Sequence, residues 1–284
     1  MILTVVFCAD VLAADRRNAD GSPATFNYAF ATQLGSGIYR INDRTIQVYR
    51  ISGPITLRTP AVGHWGLLLR VPVTFGFYNF KIEDVIDTGL PASLGSLAII
   101  PTLEFEFHAR ETWWIGPFLG LGGGKDFSGG EFNFIYATGV RNNVLWPGEQ
   151  VDIRMGNRFV YTGYTNSSMD FVDDFAFLES GVDFRRGLGF SLGGFDVDGS
   201  VFGANYIYFI SPHVVRLLPE PVEIRTEWEL GMTFGTKEPV TVLGLRMPRL
   251  GLSYRFGTGM DAIRIIIGNP FPIDTPADKG PGVN

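Results

Sequence analysis

Residues 66–80 read GLLLRVPVTFGFYNF and alternate in character. Leu67, Leu69, Val71, Val73, Phe75 and Phe77 share one face; Arg70, Pro72, Thr74 and two glycines share the other. A period of two is that of a β-strand whose faces meet different surroundings. The pattern recurs along the chain. In 96–110, Leu103, Phe105 and Phe107 oppose Glu104, Glu106, His108 and Arg110. In 223–234, Ile224, Trp228, Leu230 and Met232 oppose Glu223, Arg225, Glu227 and Glu229. In 150–164, Val151, Ile153, Met155, Phe159 and Tyr161 oppose Asp152, Arg154 and Arg158.

Carried through, this reading predicts twelve strands, near 25–38, 44–57, 66–80, 96–110, 112–126, 131–143, 150–164, 173–186, 190–209, 223–236, 249–256 and 261–271. Most exceed the mode of about five or six residues in globular sheets and reach the roughly 9–11 that a tilted strand needs to cross a bilayer. Connections alternate in length, with long loops at 81–95, 165–172 and 211–222 and a tight turn at 110–112. Outer-membrane barrels alternate short and long joins in this way. The long join at 237–248 breaks the rule.

Periodicity alone fits a soluble sandwich as well as a membrane barrel. Two features tilt the reading toward lipid. Gly116, Gly120, Gly122 and Gly124 share the non-apolar face of one strand, as a crowded interior requires. Aromatics gather near strand ends, at Phe26, Tyr28 and Phe30, at Phe77, Tyr78 and Phe80, at Trp113 and Trp114, and at Tyr206, Tyr208 and Phe209, like interfacial girdles. A sheet crosses lipid only when closed, because an open edge leaves backbone groups unpaired in hydrocarbon. The expectation is therefore an all-β chain, a single twelve-stranded antiparallel transmembrane barrel over 25–271 with both termini periplasmic.

Composition agrees: of 284 residues, 45% are apolar and 18% charged, and no stretch reaches the length of a spanning helix. A net charge of −6 without a basic run argues against nucleic acid as a partner. The single Cys8 allows no intramolecular disulfide. Residues 1–13 have the apolar stretch and small-residue end of an export signal, though no Lys or Arg precedes the stretch and Asp10 interrupts it. Residues 14–24 form a short polar segment, and 272–284 a Pro/Gly-rich tail expected to be disordered.

Three runs carry a family resemblance. PRLGLSYRFGTGMDAIRIIIGNPF (248–271) resembles the closing hairpin of the solitary autotransporter-like β-barrels of the Gram-negative outer membrane. ATQLGSGIYRINDRTIQVYRI (31–51) resembles the opening hairpin of that family, and GLLLRVPVTFGFYNF one of its strands. The resemblance implies a translocator-type barrel in the bacterial outer membrane with no passenger domain, and the short polar stretch ADRRNADGSPA ahead of the first expected strand is expected to form neither a passenger nor a full lumen-filling helix. It also implies insertion by the barrel-assembly machinery, with Phe271 as the terminal aromatic that machinery reads, although thirteen residues follow it.

Catalytic motifs are weak. GFSLG (189–193) matches a nucleophile elbow around Ser191, but an elbow needs a following helix and FDVDGSVFG continues as strand. GLGGGKD (120–126) lacks the glycine spacing and the Ser/Thr of a phosphate loop. His108 shares a face with Glu104 and Glu106, residue types able to act as acid and base, yet residues spaced along one strand do not converge on a point. No metal site, cofactor or enzymatic activity is expected.

The strongest polar constellation is the inward face itself. It comprises Arg70, Glu104, Glu106, His108, Arg110, Arg154, Arg158, Glu179, Asp183, Arg185, Arg225, Glu227, Glu229, Arg255 and Arg264, joined by Asp152 and Glu223. The lipid-facing set is Leu67, Leu69, Val71, Val73, Phe75, Leu103, Phe105, Phe107, Trp228, Leu230 and Met232. The charges either pair and close the lumen or line water as a narrow pore, because burying them dry and unpaired would be very costly. Two further readings stay open: an outer-membrane hydrolase using a His/carboxylate pair, and a soluble exported β-barrel that binds an apolar ligand.

Overall fold

The structure is a computed structural model that describes residues 28–41, 44–78, 95–126, 132–166, 171–212, 223–237, 241–242, 245–246 and 248–271. One short helix, α1 (Tyr28–Gln33), is followed by seventeen strand segments. These are β1 (Gly37–Ile41), β2 (Arg44–Ile51), β3 (Pro54–Arg58), β4 (Trp65–Arg70), β5 (Val73–Tyr78), β6 (Gly95–Ile99), β7 (Thr102–Arg110), β8 (Trp113–Asp126), β9 (Phe132–Trp146), β10 (Asp152–Asn166), β11 (Phe171–Leu192), β12 (Phe195–Ile210), β13 (Thr226–Thr236), β14 (Thr241–Val242), β15 (Leu245–Arg246), β16 (Leu250–Gly257) and β17 (Asp261–Ile267).

Three pairs of segments are single strands interrupted near a proline. Register is continuous across the gaps: Arg70 faces Thr102 below the break and Val73 faces Ile99 above it. Proline has no N–H to give a ladder, and the gap between β4–β5 and β6–β7 is crossed by one backbone bond, Ile100 N–H to Pro72 O at 3.3 Å. Joining β2 to β3, β4 to β5 and β6 to β7 leaves twelve antiparallel strands, each paired with its chain neighbour. The pairing of β1 with β17 closes the ring. The protein is a closed twelve-stranded barrel, with β14 and β15 a separate small hairpin between β13 and β16.

Call the end where β1 starts and β17 finishes the lower end. The outer surface is apolar: Leu103, Phe105, Phe107, Trp228, Leu230 and Met232 are all exposed. Leu67, Leu69, Val71, Val73 and Phe75 are half-buried, in a stretch of wall where outward rings pack together, such as Tyr49 on Phe77 and Trp65 on Phe105. Inside, the layers differ. The upper half is filled by apolar side chains, among them Ile46, Val48, Ile135, Val160, Phe175 and Phe177. The lower half is polar and charged.

The expected first strand over 25–38 is the main departure. Residues 28–33 are helical, and the strand begins only at Gly37. YAFATQ contains no Gly or Pro, and its two alanines are the best helix formers. The helix lies inside the barrel, with Ala29, Phe30, Ala31 and Leu34 all buried, so no polar face interrupts its pattern. Phe30 meets Phe175 edge-on at 5.7 Å and Tyr208 at 6.3 Å. The aromatic clusters also divide: Trp113 and Phe209 face outward, whereas Phe30, Trp114, Tyr206 and Tyr208 are buried on the inner side. Adjacent residues of a strand point to opposite faces, so clusters in sequence are not belts in space.

The glycine row on β8 sits at close approaches. A Cβ at Gly116 would lie 2.6 Å from Glu104 Oε1, and one at Gly124 would lie 3.2 Å from Ile135 Cδ1. The expected signal segment, the polar segment before the barrel and the tail lie outside the described residues, as do most of the loops expected at 81–95 and 211–222. In the region expected as a loop at 165–172, β10 continues to Asn166 and β11 starts at Phe171.

Candidate functional site

The inner face of the lower half holds a set of ion pairs within and between strands. Arg158 and Glu179 sit directly opposite in the β10–β11 ladder and bond at 2.8 Å. Arg158 also donates to Gln33 Oε1 of α1 at 3.3 Å, which ties the helix to the charged layer. Glu104 on β7 accepts from Arg70 at 2.9 Å and from Arg141 on β9 at 2.6 Å. Arg185 bonds Asp183 at 3.3 Å. Asp198 on β12 pairs with Arg249, whose Nε donates to Thr233 at 3.1 Å.

A second cluster spans β12, β13, β16 and β17. Glu229 accepts from Tyr206 at 2.7 Å and from Ser253 at 2.5 Å, and pairs with Arg264. Glu227 pairs with Arg255, which donates to Tyr208 at 2.9 Å and lies 3.6 Å from the Tyr206 ring centre. Glu227 and Glu229 have no solvent exposure. Charges buried this deeply are tolerable only when paired and hydrogen-bonded; Glu229 meets that condition at both oxygens, and Glu227 through the oxygen that Arg255 holds.

Of the residues read as inward, Glu104, Glu106, His108, Arg154, Arg158, Glu179, Asp183, Arg185, Glu227, Glu229, Arg255 and Arg264 are buried, and Arg70 is largely so. Two are not. Arg110 is exposed, because the β7–β8 register shifts between His108 and Arg110 and breaks the alternation there. Arg225 is exposed because β13 starts only at Thr226. Ser211 Oγ accepts from Ile224 N–H at 3.0 Å and donates to its carbonyl at 3.1 Å, which turns Ile224 into the interior. Its neighbours Glu223 and Arg225 then point out and pair with each other at 2.9 Å. The Arg225 guanidinium, donating to Glu223, holds that carboxyl below the ordinary carboxylate value, against a small opposing effect of desolvation. Asp152 is half-buried and accepts from Gly148 N–H at 3.1 Å.

Phe271 also departs from expectation. Gly268, at φ +103°, turns the chain off the end of β17, a conformation that favours glycine. Asn269 accepts from Arg185 at 3.1 Å, and Phe271 is buried against Phe202 with ring centres 6.1 Å apart. It therefore sits inside the barrel and presents no aromatic edge to the outer surface.

The remaining motifs have structural places. His108 pairs with Glu106 and stacks on Trp114 at 5.8 Å. Ser191 lies on β11 beside the hairpin turn at Gly193–Gly194, donating to Asp196 at 2.7 Å in an exposed strand–turn–strand with no elbow geometry. GLGGGKD is part of β8. Among the described residues no cluster of His, Cys, Asp or Glu could hold a metal ion. Sequence reasoning missed Arg50, Arg141, Asp198 and Arg249. Arg50 was hidden because its strand carries Ile46 and Val48 on the inner face, the reverse of the expected polarity.

No protein-family model matches the chain, and no curated protein matches its sequence. Among solved structures it is similar to the β-domain of the Bordetella autotransporter BrkA. The match covers 81% of this chain and 92% of that one, with a TM-score of 0.50 and 12% identity. The chain has the fold of an autotransporter β-domain. At this identity the likeness extends to the fold alone.

Proposed function

We propose that this autotransporter-like barrel is an integral protein of the bacterial outer membrane, inserted by the barrel-assembly machinery, with a charged lumen that does not conduct ions freely. One observation carries the reading. The wall is apolar outside and charged inside, the arrangement that lipid outside and a polar interior impose on a closed barrel. Closure is supported by α1, whose Ala29 and Phe30 are buried among apolar side chains, and by ion pairs that link strands below it. A soluble barrel would put its apolar residues inside and its charges outside.

Single-channel recording of the detergent-folded protein in a planar bilayer tests closure. Heat-modifiable gel migration first establishes that the barrel is folded. Silence is the expected result. Steady, salt-dependent steps would replace closure with a narrow pore. Solubility without detergent would overturn the membrane assignment.

A further inference from the structure

Beneath α1, lined by residues of β2 to β4, β9 to β13, β16 and β17, lies a cavity of about 710 Å³. Small-molecule sites fall in the range of about 300–1,000 Å³. Exposed Ser52, Gly53, Lys237 and Pro248 line it, so it opens to solvent at the lower rim. Ten basic side chains border it against one acidic side chain, Glu179.

The carboxylates behind this lining do not balance it. Glu104 serves two guanidiniums at once, and Asp183 and Asp198 pair with Arg185 and Arg249. Glu227 is held by Arg255, and Glu229 by Arg264 and the Tyr206 and Ser253 hydroxyls, both carboxylates fully buried and away from the space. Arg50 forms no ion pair among the described residues, and its buried Nε has no hydrogen-bond partner. The Nε atoms of Arg185 and Arg264 are likewise buried donors without a partner among the described residues. Guanidinium groups match phosphate and carboxylate oxygens in planar, forked geometry, and a surplus of them around one space concentrates anions there.

The wall beside the cavity is incomplete. β1 is five residues long and pairs with β17 only from Gly37 to Arg40. At Ser36 the chain still bridges the two sides, its carbonyl accepting from Ile265 N–H at 3.0 Å and its hydroxyl bonding the Arg50 backbone; below it β3 pairs with β4 alone and Ile266 and Ile267 of β17 pair with β16 alone, so among the described residues no strand lies between them. Ser36, Arg50, Gly53 and Ile265–Gly268 border both this gap and the cavity. On the outer surface the gap is flanked by exposed Ile51, Ile55, Ile265 and Ile267.

We propose that the basic cavity binds the phosphate group of an anionic ligand, and that the gap between β3 and β17 is its side entrance through the apolar wall. The phosphate comes either from a soluble compound entering at the lower rim or from a phospholipid whose acyl chains remain outside along the isoleucines. This rests on the barrel being folded in lipid, and not on its being closed to ions.

The test uses the folded full chain in neutral detergent. Inorganic pyrophosphate is titrated calorimetrically, and phosphatidylglycerol against phosphatidylcholine in mixed micelles is followed by native mass spectrometry. The expected result is saturable one-to-one binding of pyrophosphate or of phosphatidylglycerol, weakened at least ten-fold in Arg50→Gln and unchanged in Arg225→Gln on the exposed surface. The probe that binds identifies the source. The proposal is overturned if neither probe saturates, if Arg50→Gln binds as tightly as the wild type, or if sulfate at equal ionic strength competes as well as pyrophosphate. Should Arg50→Gln fail to fold, Lys237→Gln on the rim takes its place with the same expected loss. Channel recording on the same preparation reads closure separately: steady conductance would overturn closure and leave the anion site standing.

Discussion

Glu229 on β13 and Arg264 on β17 form an ion pair although β16 lies between their strands. Ser253 of the intervening β16 joins the same carboxylate at 2.5 Å, and Tyr206 of β12 reaches it from the other side at 2.7 Å. One side chain therefore binds the three strands next to the closing seam to β12. Removing one partner of a buried pair costs roughly 3–5 kcal/mol, because the other charge is left uncompensated. Glu229→Ala is expected to lower the temperature of the heat-modifiable gel transition sharply. Glu229→Gln with Arg264→Met should recover much of the loss, since it removes both charges together.

The two faces of β13 and the tip of the β11–β12 hairpin make a depth test. Leu230 lies on the outer wall, and Leu192 lies beyond the last β10–β11 pair, both exposed. In a bilayer, Leu230→Arg is expected to cost about 2–4 kcal/mol near the midplane, whereas Leu192→Arg outside the hydrocarbon stays within about 0.5 kcal/mol, as surface changes do. Urea unfolding from phospholipid vesicles reads both. Equal, small costs would mean that the outer wall does not face lipid.

Closure depends on α1 staying seated. Phe30→Ala removes the ring that meets Phe175 and Tyr208. Large-to-small changes of this kind cost about 3–5 kcal/mol in a packed core. Here the loss falls on helix docking while the ladder remains. The expected outcome is a barrel that still shifts on gels but shows ion steps that the wild type lacks.

Glu223 gives a pH marker outside the barrel wall. Its folded value is depressed by Arg225. Whatever it contributes is therefore present above the ordinary carboxylate value and lost as pH falls through the folded one. Arg225→Gln should raise the Glu223 midpoint, observed by carboxyl-carbon NMR, while the thermal midpoint of the barrel stays unchanged. No rise would mean that the pair does not persist in solution.

Strand number and the inward or outward sense of β7, β10 and β13 were legible in the sequence, because each has unlike surroundings on its two sides and alternation records that difference. Legibility failed where the interior itself is apolar. Ile46 and Val48 face inward on β2, and Phe30 sits on a buried helix, so apolar no longer means outward there. It failed again at Arg110 and Ile224, where a register shift and a turn reset the parity. The cavity was invisible for a different reason. Its basic lining is assembled from strands far apart in the chain, so no single strand carries the surplus of charge.

The interruptions at Ser52–Gly53, Val71–Pro72 and Ile100–Pro101 stand side by side on three neighbouring strands. A sheet resists bending through its ladder of hydrogen bonds, and here the rungs thin out in one horizontal row. The wall thus carries a score line, and thermal bending concentrates along it. The panel below, made of β3, β4 and β7, hangs from the upper wall along that line and from β8 at its side, and its free edge is β3.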